Sequence, residues 1–309
     1  MKRNPLVSVI ISVYRENVEL VSQAINSIRN QTYKNLEIIV LLDSPENEAV
    51  RVYLQKVEME ESRLSLIINE KNLGLVNSLN KGISYSRGEY ICRMDADDIS
   101  EECRIERQLN FLITNNLDIV GSYIELIGMN NELLGEGRKY PVSNKYIYEY
   151  IKYASPIPHP TWLSRREVYT LLDGYRNIPY VEDYDFLVRA LMYNVKMGVL
   201  PEILLKYRIN RKGITQKNIA IQKILSEKIA KQIKLFTVID KNEMISSVSP
   251  KRLKKLEKYY MIGKSLKAGD SVSLKELMGF IFNLYNIKEI EQRVMCKLII
   301  YKDRNYGNY

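Results

Sequence analysis

Tyr90-Ile91-Cys92-Arg93-Met94-Asp95-Ala96-Asp97-Asp98 is the stretch that decides how this 309-residue chain is read. Its first half is a short apolar run, the signature of a buried strand. Its second half sets three carboxylates at that strand's carboxyl end. Held so close, they repel one another. A hard divalent cation such as Mg²⁺ or Mn²⁺ relieves the repulsion and prefers oxygen ligands. A metal held by one or two protein carboxylates keeps positions open for substrate phosphates. The pattern therefore points to a metal–diphosphate site. A solvated acidic turn that caps the next helix is the alternative reading of these residues alone.

The flanking sequence places that strand in a sheet. Residues 6–13 form an apolar run rich in β-branched side chains, and residues 36–42 are almost wholly apolar and end at Asp43. Residues 64–68 are a third such run. Helical spacing fills the gaps at 18–30 (Val18, Val21, Ala24, Ile25, Ile28), 46–59 and 77–86. Short apolar strands alternating with helices predict an α/β fold, with a mostly parallel sheet covered by helices on both faces. Ligands bind such sheets outside the carboxyl ends of the strands. Tyr14, Asp43, Asn69 and Asp95 are thus expected along one crevice.

Beyond it, a helix is expected over 101–115, a strand over 118–127 with turns at Gly128 and Gly135, helices over 166–172 and 183–193, and strands over 195–200 and 203–207. The prolines of Ser155-Pro156-Ile157-Pro158-His159-Pro160 exclude regular helix and impose a shaped loop. From about 216 onward the pattern is helical and charged. Residues 1–215 are therefore expected to form the nucleotide-binding unit and 216–309 a basic helical extension.

Composition narrows the class. Cys92, Cys103 and Cys296 form no CxxC pair, and read as reduced thiols of a cytosolic protein. No stretch reaches the ~18 apolar residues of a membrane span, and the first strand lacks the cleavage site of a signal peptide. The formal net charge is +9, and residues 251–309 alone carry 13 Lys and Arg against 6 Asp and Glu. In that tail, Lys251-Arg252-Leu253-Lys254-Lys255-Leu256 and Leu277-Met278-Gly279-Phe280-Ile281-Phe282 set basic and apolar groups close together. Such a tail meets either an anionic membrane surface or plain solvent as the basic side of a helical cap. No nucleic-acid-binding signature accompanies it, and the acidic crevice argues against a nucleic-acid partner.

Neither GxxxxGK[ST] nor a GxGxxG after the first strand is present, which leaves carboxylates and polar loops to hold a phosphorylated ligand. A second acidic cluster, Glu182-Asp183 with Asp185, opens a helix. It either caps that helix or supplies a general base for an acceptor hydroxyl. His159, the single histidine, stands between prolines and is either structural or part of a site. Trp162 either stacks on a sugar ring or packs in the core. Arg208, after an apolar strand, either meets a phosphate or sits on the surface.

An ordered set of motifs adds a resemblance. It runs through Ser12-Val13-Tyr14-Arg15-Glu16, Asn30-Gln31-Thr32-Tyr33, Asn72-Leu73-Gly74-Leu75, Leu79-Asn80-Lys81-Gly82, Arg87-Gly88-Glu89-Tyr90-Ile91, Arg93 to Asp98, His159-Pro160-Thr161 and Glu182-Asp183-Tyr184-Asp185. Over roughly residues 5–210 the chain resembles the bacterial family 2 glycosyltransferases of GT-A fold, of the kind that build capsule, O-antigen and exopolysaccharide repeat units. The resemblance implies a Rossmann-like domain and transfer of a sugar, with inversion, from a nucleoside-diphosphate sugar (UDP-linked by default) to a glycan or glycolipid acceptor, with Mn²⁺ or Mg²⁺ as cofactor. It implies donor contacts from Ser12, Tyr14, Glu16, Asp43, Asn72, Lys81, Arg93 and Asp95, and metal ligation by Asp97 with Asp95. Asp183 would be the base with Glu182 beside it, and His159, Trp162 and Asp185 would lie on the acceptor side.

The chain departs from the family where relatives carry Asp-Asp-Gly-Ser; here Leu42-Asp43-Ser44-Pro45 loses one acid. Asn210 stands where relatives often have His. The Gln-x-x-Arg-Trp of processive synthases is absent, which implies one sugar per encounter. A cytoplasmic location, with peripheral contact at the membrane, follows from the same resemblance. An inactive nucleotide-sugar-binding relative is the other reading, and the intact Asp95, Asp97 and Asp183 argue against it.

Overall fold

A computed structural model describes residues 4–210, 218–235, 237–268, 273 and 284–306. Four parallel strands lie in the order β3 (Leu64–Ile68), β2 (Leu36–Leu42), β1 (Val7–Val13) and β4 (Tyr90–Asp95). Every residue of β2 is buried, as a strand covered on both faces requires. The pleat sorts β1 between two cores. Val9 and Ile11 pack with α1 (Val18–Arg29), α2 (Glu48–Glu60) and α4 (Arg104–Thr114), whereas Ile10 packs with α3 (Leu75–Tyr85).

Local sequence explains the helices. Asn17 caps α1 by accepting from the Leu20 amide, and Leu20, Val21, Ala24, Ile25 and Ile28 form its buried stripe. On α3, Gly82 lets the helix lie close to the sheet. A Cβ there would come within 2.7 Å of Ile10 Cγ2 and 2.9 Å of Leu41 Cδ1.

Beyond β4 the sheet is mixed. It runs on through β8 (Leu163–Arg165), β6 (Ile119–Ile127), β9 (Met197–Arg208) and β5 (Ile99–Ser100), with β7 (Leu133–Glu136) paired to β6. The β4–β8, β6–β8, β6–β7 and β5–β9 pairs are antiparallel and β6–β9 is parallel. The two strands expected over 195–207 are one: β6–β9 pairing jumps from Leu200 to Ile203, so Pro201 and Glu202 form a bulge. A proline has no amide to give to the ladder, and a bulge accommodates it. Strands β5, β7 and β8 and the helix α5 (Asn144–Tyr150) have no counterpart in the sequence reading.

Two short helices complete the core: α6 (Arg166–Leu171) and α7 (Glu182–Met192). Among the described residues of the extension four follow: α8 (Ile219–Leu235), α9 (Lys241–Ser246), α10 (Pro250–Ala268) and α11 (Leu284–Tyr306). Leu225 and Ile229 of α8 and Met244 of α9 share one buried cluster with Trp162 and Phe186. On α10, Leu256 and Leu253 pack toward Ala220 and Ile224 of α8, so the apolar side of the 251–256 motif faces protein. The expected boundary near 215 and the 277–282 motif lie outside the described residues.

Candidate active site

The crevice forms because three segments end together. Strand register pairs Ser12 with Asp95, which brings the 14–16 turn beside the acidic tetrapeptide. Strand β5 follows that tetrapeptide and pairs Ile99 with Lys206, which returns the end of β9 to the same place. There Arg208 is buried and staples the turn. Its amide donates to Asp98 Oδ1 at 2.8 Å, its Nε to the Asp97 carbonyl at 2.7 Å, its Nη1 to the Gly128 carbonyl at 2.8 Å and its Nη2 to Gln23 Oε1 at 2.9 Å. Arg208 is thus a structural clamp, and a surface position or a phosphate contact does not fit its burial.

Asp95, Asp97 and Asp98 bring carboxylate oxygens within 4.8 Å of one another. Burial, then the charges of Asp95 and Glu16, pushes the Asp97 carboxyl up to about 7. Asp98 is buried, and burial, then the charges of Asp95 and Asp97, raises it well above the ordinary range. Its Oδ2 is buried without a hydrogen-bond partner. Glu16 folds back so that Oε2 accepts from the Tyr14 amide at 2.6 Å, and burial raises it too, with Asp95 adding repulsion. Strained carboxylates and an orphaned oxygen are the donor set that a hard divalent cation satisfies. Asp98 was not among the site residues expected from sequence. The adjacent Asp97-Asp98 doublet was its one signal.

Arg93 sits buried behind the cluster. Its Nη1 donates to Asp95 Oδ2 at 3.0 Å and its Nη2 to Asp95 Oδ1 at 2.5 Å, a bidentate grip that orients Asp95. The same guanidinium lowers the cost of the second acidic pair. Glu182 is pushed up to about 7 by burial and then by Asp183, with Arg93 opposing. Asp183 is raised by burial, opposed by the Tyr184 amide and Arg93. Both are half-buried at the start of α7, and Glu182 lies near enough to feel the charges of Arg93 and Asp95. Just before them, Tyr180 holds a left-handed backbone (φ 67°), and its carbonyl accepts from Gln222 Nε2 of α8 at 2.9 Å.

Other expected site residues have structural partners. Asp43 is buried: Oδ1 accepts from Asn69 Nδ2 and the Leu73 amide, both at 2.8 Å, and Oδ2 from the Gly74 amide at 2.9 Å. It shapes the loop before α3, and a base or ribose contact has little of it to reach. Lys81 Nζ donates to Asn69 Oδ1 at 2.8 Å, and Asn72 Oδ1 accepts from the Gly74 amide at 2.8 Å. Tyr14 is half-buried, with the Arg15 guanidinium 4.8 Å above its ring.

The three acceptor-side expectations meet a packed core. Trp162 is 0% exposed, stacked on Tyr175 and tilted against Phe186, so no sugar reaches its face. His159 is buried, with Nε2 2.9 Å from the Tyr175 hydroxyl. Burial and then Arg93 hold its ring well below the ordinary range, hence neutral. Asp185 is 0% exposed and lies between two guanidinium groups: Oδ2 accepts from Arg176 Nε at 3.0 Å and from Arg189 Nε at 2.9 Å, and Oδ1 pairs with Arg176 Nη2. Its carboxylate holds α7 to the core and cannot touch an acceptor. The structure thus gathers Ser12, Tyr14, Glu16, Asp95, Asp97, Asp98, Glu182 and Asp183 at one crevice, and turns Trp162, His159 and Asp185 inward.

Comparison with known proteins places the chain in a family. Residues 8–171 match the model of glycosyl transferase family 2. An uncharacterized glycosyltransferase of Haemophilus influenzae is 31% identical over 94% of this chain and 95% of its own length. The O-antigen biosynthesis glycosyltransferase WbnJ of Escherichia coli is 30% identical over 75% of this chain and 91% of its own. Among solved structures, the mannosyltransferase PcManGT of Pyrobaculum calidifontis, in complex with GDP-Man and Mn²⁺, superposes with a TM-score of 0.59 at 14% identity, covering 98% of this chain and 88% of that one. That structural likeness carries the GT-A fold. The family match spans β1 to α6, takes in Asp95, Asp97 and Asp98 and stops short of Glu182 and Asp183; with it the chain belongs to glycosyl transferase family 2 and is a glycosyltransferase.

Proposed function

We propose that the enzyme is an inverting, metal-dependent transferase that moves one sugar from a nucleoside-diphosphate sugar to a hydroxyl of a lipid-linked cell-surface glycan on the cytoplasmic face of the membrane. The observation that carries this reading is the pair of acidic centres across one crevice: Asp95, Asp97 and Asp98 at the end of β4, and Glu182 and Asp183 at the start of α7, with Arg93 buried near both. Family 2 membership supports the donor class, and the O-antigen name of WbnJ supports the acceptor class. UDP is the donor nucleotide the resemblance implies, and GDP is its rival because PcManGT holds GDP-Man.

Asp97 and Asp95 would hold Mn²⁺ or Mg²⁺, with Asp98 close behind them. A bound cation there supplies Lewis-acid neutralisation of the diphosphate. Arg93 keeps Asp95 aimed into the crevice. Ser12, Tyr14 and Glu16 line the nucleoside end. Asp183 accepts the proton of the acceptor hydroxyl, whose oxygen forms a bond to the anomeric carbon from the face opposite the diphosphate. The anomeric carbon–oxygen bond breaks, and its electron pair leaves on the nucleoside diphosphate. Inversion turns an α-linked donor into a β-glycoside. Burial raises the basicity of Asp183, and the Asp183 charge in turn helps to hold the Glu182 carboxyl up at about 7. A general base of this kind contributes about 10²–10⁴-fold.

The test is nucleoside-diphosphate release from UDP-, GDP- and dTDP-sugars with Mn²⁺, Mg²⁺ or EDTA, for wild type and Asp97→Ala. Metal-dependent release from one donor, lost in Asp97→Ala, is the expected result. Metal-independent release, or full activity of Asp97→Ala, refutes the role given to the cation. No turnover with any donor, together with no donor binding by calorimetry, refutes the reading itself.

A further inference from the structure

The last helix has two apolar faces, and the protein covers one of them. On the inner face of α11, Cys296 and Ile299 are buried against Tyr146 and Tyr150 of α5. Asp303 fixes the register: its carboxylate accepts from the Val142 amide at 2.5 Å and the Ser143 hydroxyl at 2.6 Å. On the outer face Ile290 is 62% exposed, Val294 49%, Leu298 47% and Tyr301 61%. Their spacing keeps all four within roughly 80° of arc on a helix. Arg293, Lys297 and Arg304 flank that stripe on one side and Lys302 on the other, with Glu291 the one acid on the same surface. Among the described residues no ion pair engages Lys297, Lys302 or Arg304, whereas Arg293 pairs with Glu289 at 2.5 Å.

We propose that this face of α11 seats on an anionic phospholipid surface. An apolar stripe with a tyrosine and basic flanks is the pattern of a helix that lies in the headgroup boundary: the apolar side chains enter the acyl edge while Lys and Arg reach up to phosphates. A second copy of the chain is the weaker occupant, because a two-fold contact would bring the same basic flanks against each other. The face also connects to the catalytic side. Tyr184, next to Asp183, donates to the Ile151 carbonyl at 2.5 Å, and Ile151 ends the helix on which α11 is docked. The lipid face is thus linked through α5 to the start of α7. That the docked surface presents lipid-linked acceptors rests on the function proposed above; the membrane contact itself does not.

The full chain is tested by co-sedimentation with phosphatidylcholine vesicles, with and without phosphatidylglycerol, in the absence of donor and acceptor. Two surface variants accompany it: Ile290→Ser/Leu298→Ser, and Lys297→Gln/Lys302→Gln/Arg304→Gln. Wild type is expected to bind the anionic vesicles, more weakly as salt rises, and each variant to lose about tenfold or more of that binding. Melting temperature and release of nucleoside diphosphate from soluble donor should be unchanged in both. Absence of wild-type binding, or equal binding by the variants, overturns the proposal. So does a concentration-dependent oligomer that the serine variant disperses, which would assign the face to a second copy. Because vesicle binding is read without catalysis, a chain inactive toward every donor leaves this test intact.

Discussion

Replacing Asp185 separates packing from chemistry at the start of α7. In Asp185→Ala, two guanidinium groups lose their shared carboxylate. The Arg189 side chain is 5% exposed and the Arg176 side chain 18% exposed, so Arg176 can regain water and Arg189 cannot. Breaking a buried pair by removing one partner costs about 3–5 kcal/mol. Arg189 keeps hydrogen bonds to the Leu172 carbonyl at 2.5 Å and the Gly174 carbonyl at 2.9 Å, which argues for the lower end, about 3 kcal/mol. For a chain of this size each kcal/mol moves the melting temperature by about 2–4 °C, so a fall of roughly 6–12 °C is expected.

Thermal unfolding followed by circular dichroism reads this out, with Asp183→Asn as comparison. Asp183→Asn should melt within about 2 °C of wild type while losing most transfer, about 10²-fold or more. Asp185→Ala, assayed well below its melting point, should still bind nucleoside diphosphate. If Asp185→Ala melted with wild type yet lost transfer, the carboxylate would be acting on substrate, and the assignment of Asp185 to the core would be wrong.

The pH dependence of transfer follows from the raised acids. With Glu182 at about 7 and Asp183 also raised, kcat/KM should climb from acid pH to a plateau above neutrality, since the base acts ionised. Glu182→Gln removes the group held at about 7 by burial and the Asp183 charge, and should move the acid limb to lower pH; a limb that stays in place shows that Glu182 does not contribute to it. In metal-free protein the folded pKa of Asp97, about 7, lies above its unfolded value, so its contribution to stability is present in acid and is lost as pH rises through about 7. Asp97→Asn should therefore melt higher than wild type in EDTA above pH 7, and should lack the gain of about 2.7 kcal/mol that wild type shows at a metal concentration 100 times its Kd. Equal melting of the two proteins in EDTA contradicts the crowding of carboxylates. Gly82→Ala sets a methyl against Ile10 and Leu41 and should cost about 1–3 kcal/mol in chemical denaturation, with m unchanged; a neutral result would mean that α3 can move off the sheet.

The parallel half of the fold is legible in the sequence because each strand there is an apolar run long enough to show its character. The mixed half is not. Strand β5 has two residues and β8 three, too short for any period, and each exists because a partner strand offers it hydrogen bonds. The site divides in the same way. Glu16 and Asp95–Asp98 follow strands β1 and β4, and a parallel sheet brings such ends together whatever the side chains are. Which way a side chain turns is another matter: Asp43, His159, Trp162 and Asp185 are all buried, where the resemblance implied contacts with donor or acceptor. Asp43 is drawn under by two loop amides contributed from thirty residues away, and Trp162 by an aromatic cluster assembled from distant segments. For Asp185 a signal existed. Asp185 and Arg189 stand four apart and share one helix face, whereas Asp183, two residues before Asp185, falls on the other side of the helix. In the same way α11 shows two apolar stripes in sequence, and the docking of α5 is what decides which is covered. Two residues within the first turn thus separate Asp183 from the carboxylate that fastens α7. An acidic cluster at a helix start splits between chemistry and packing according to the face on which each acid falls.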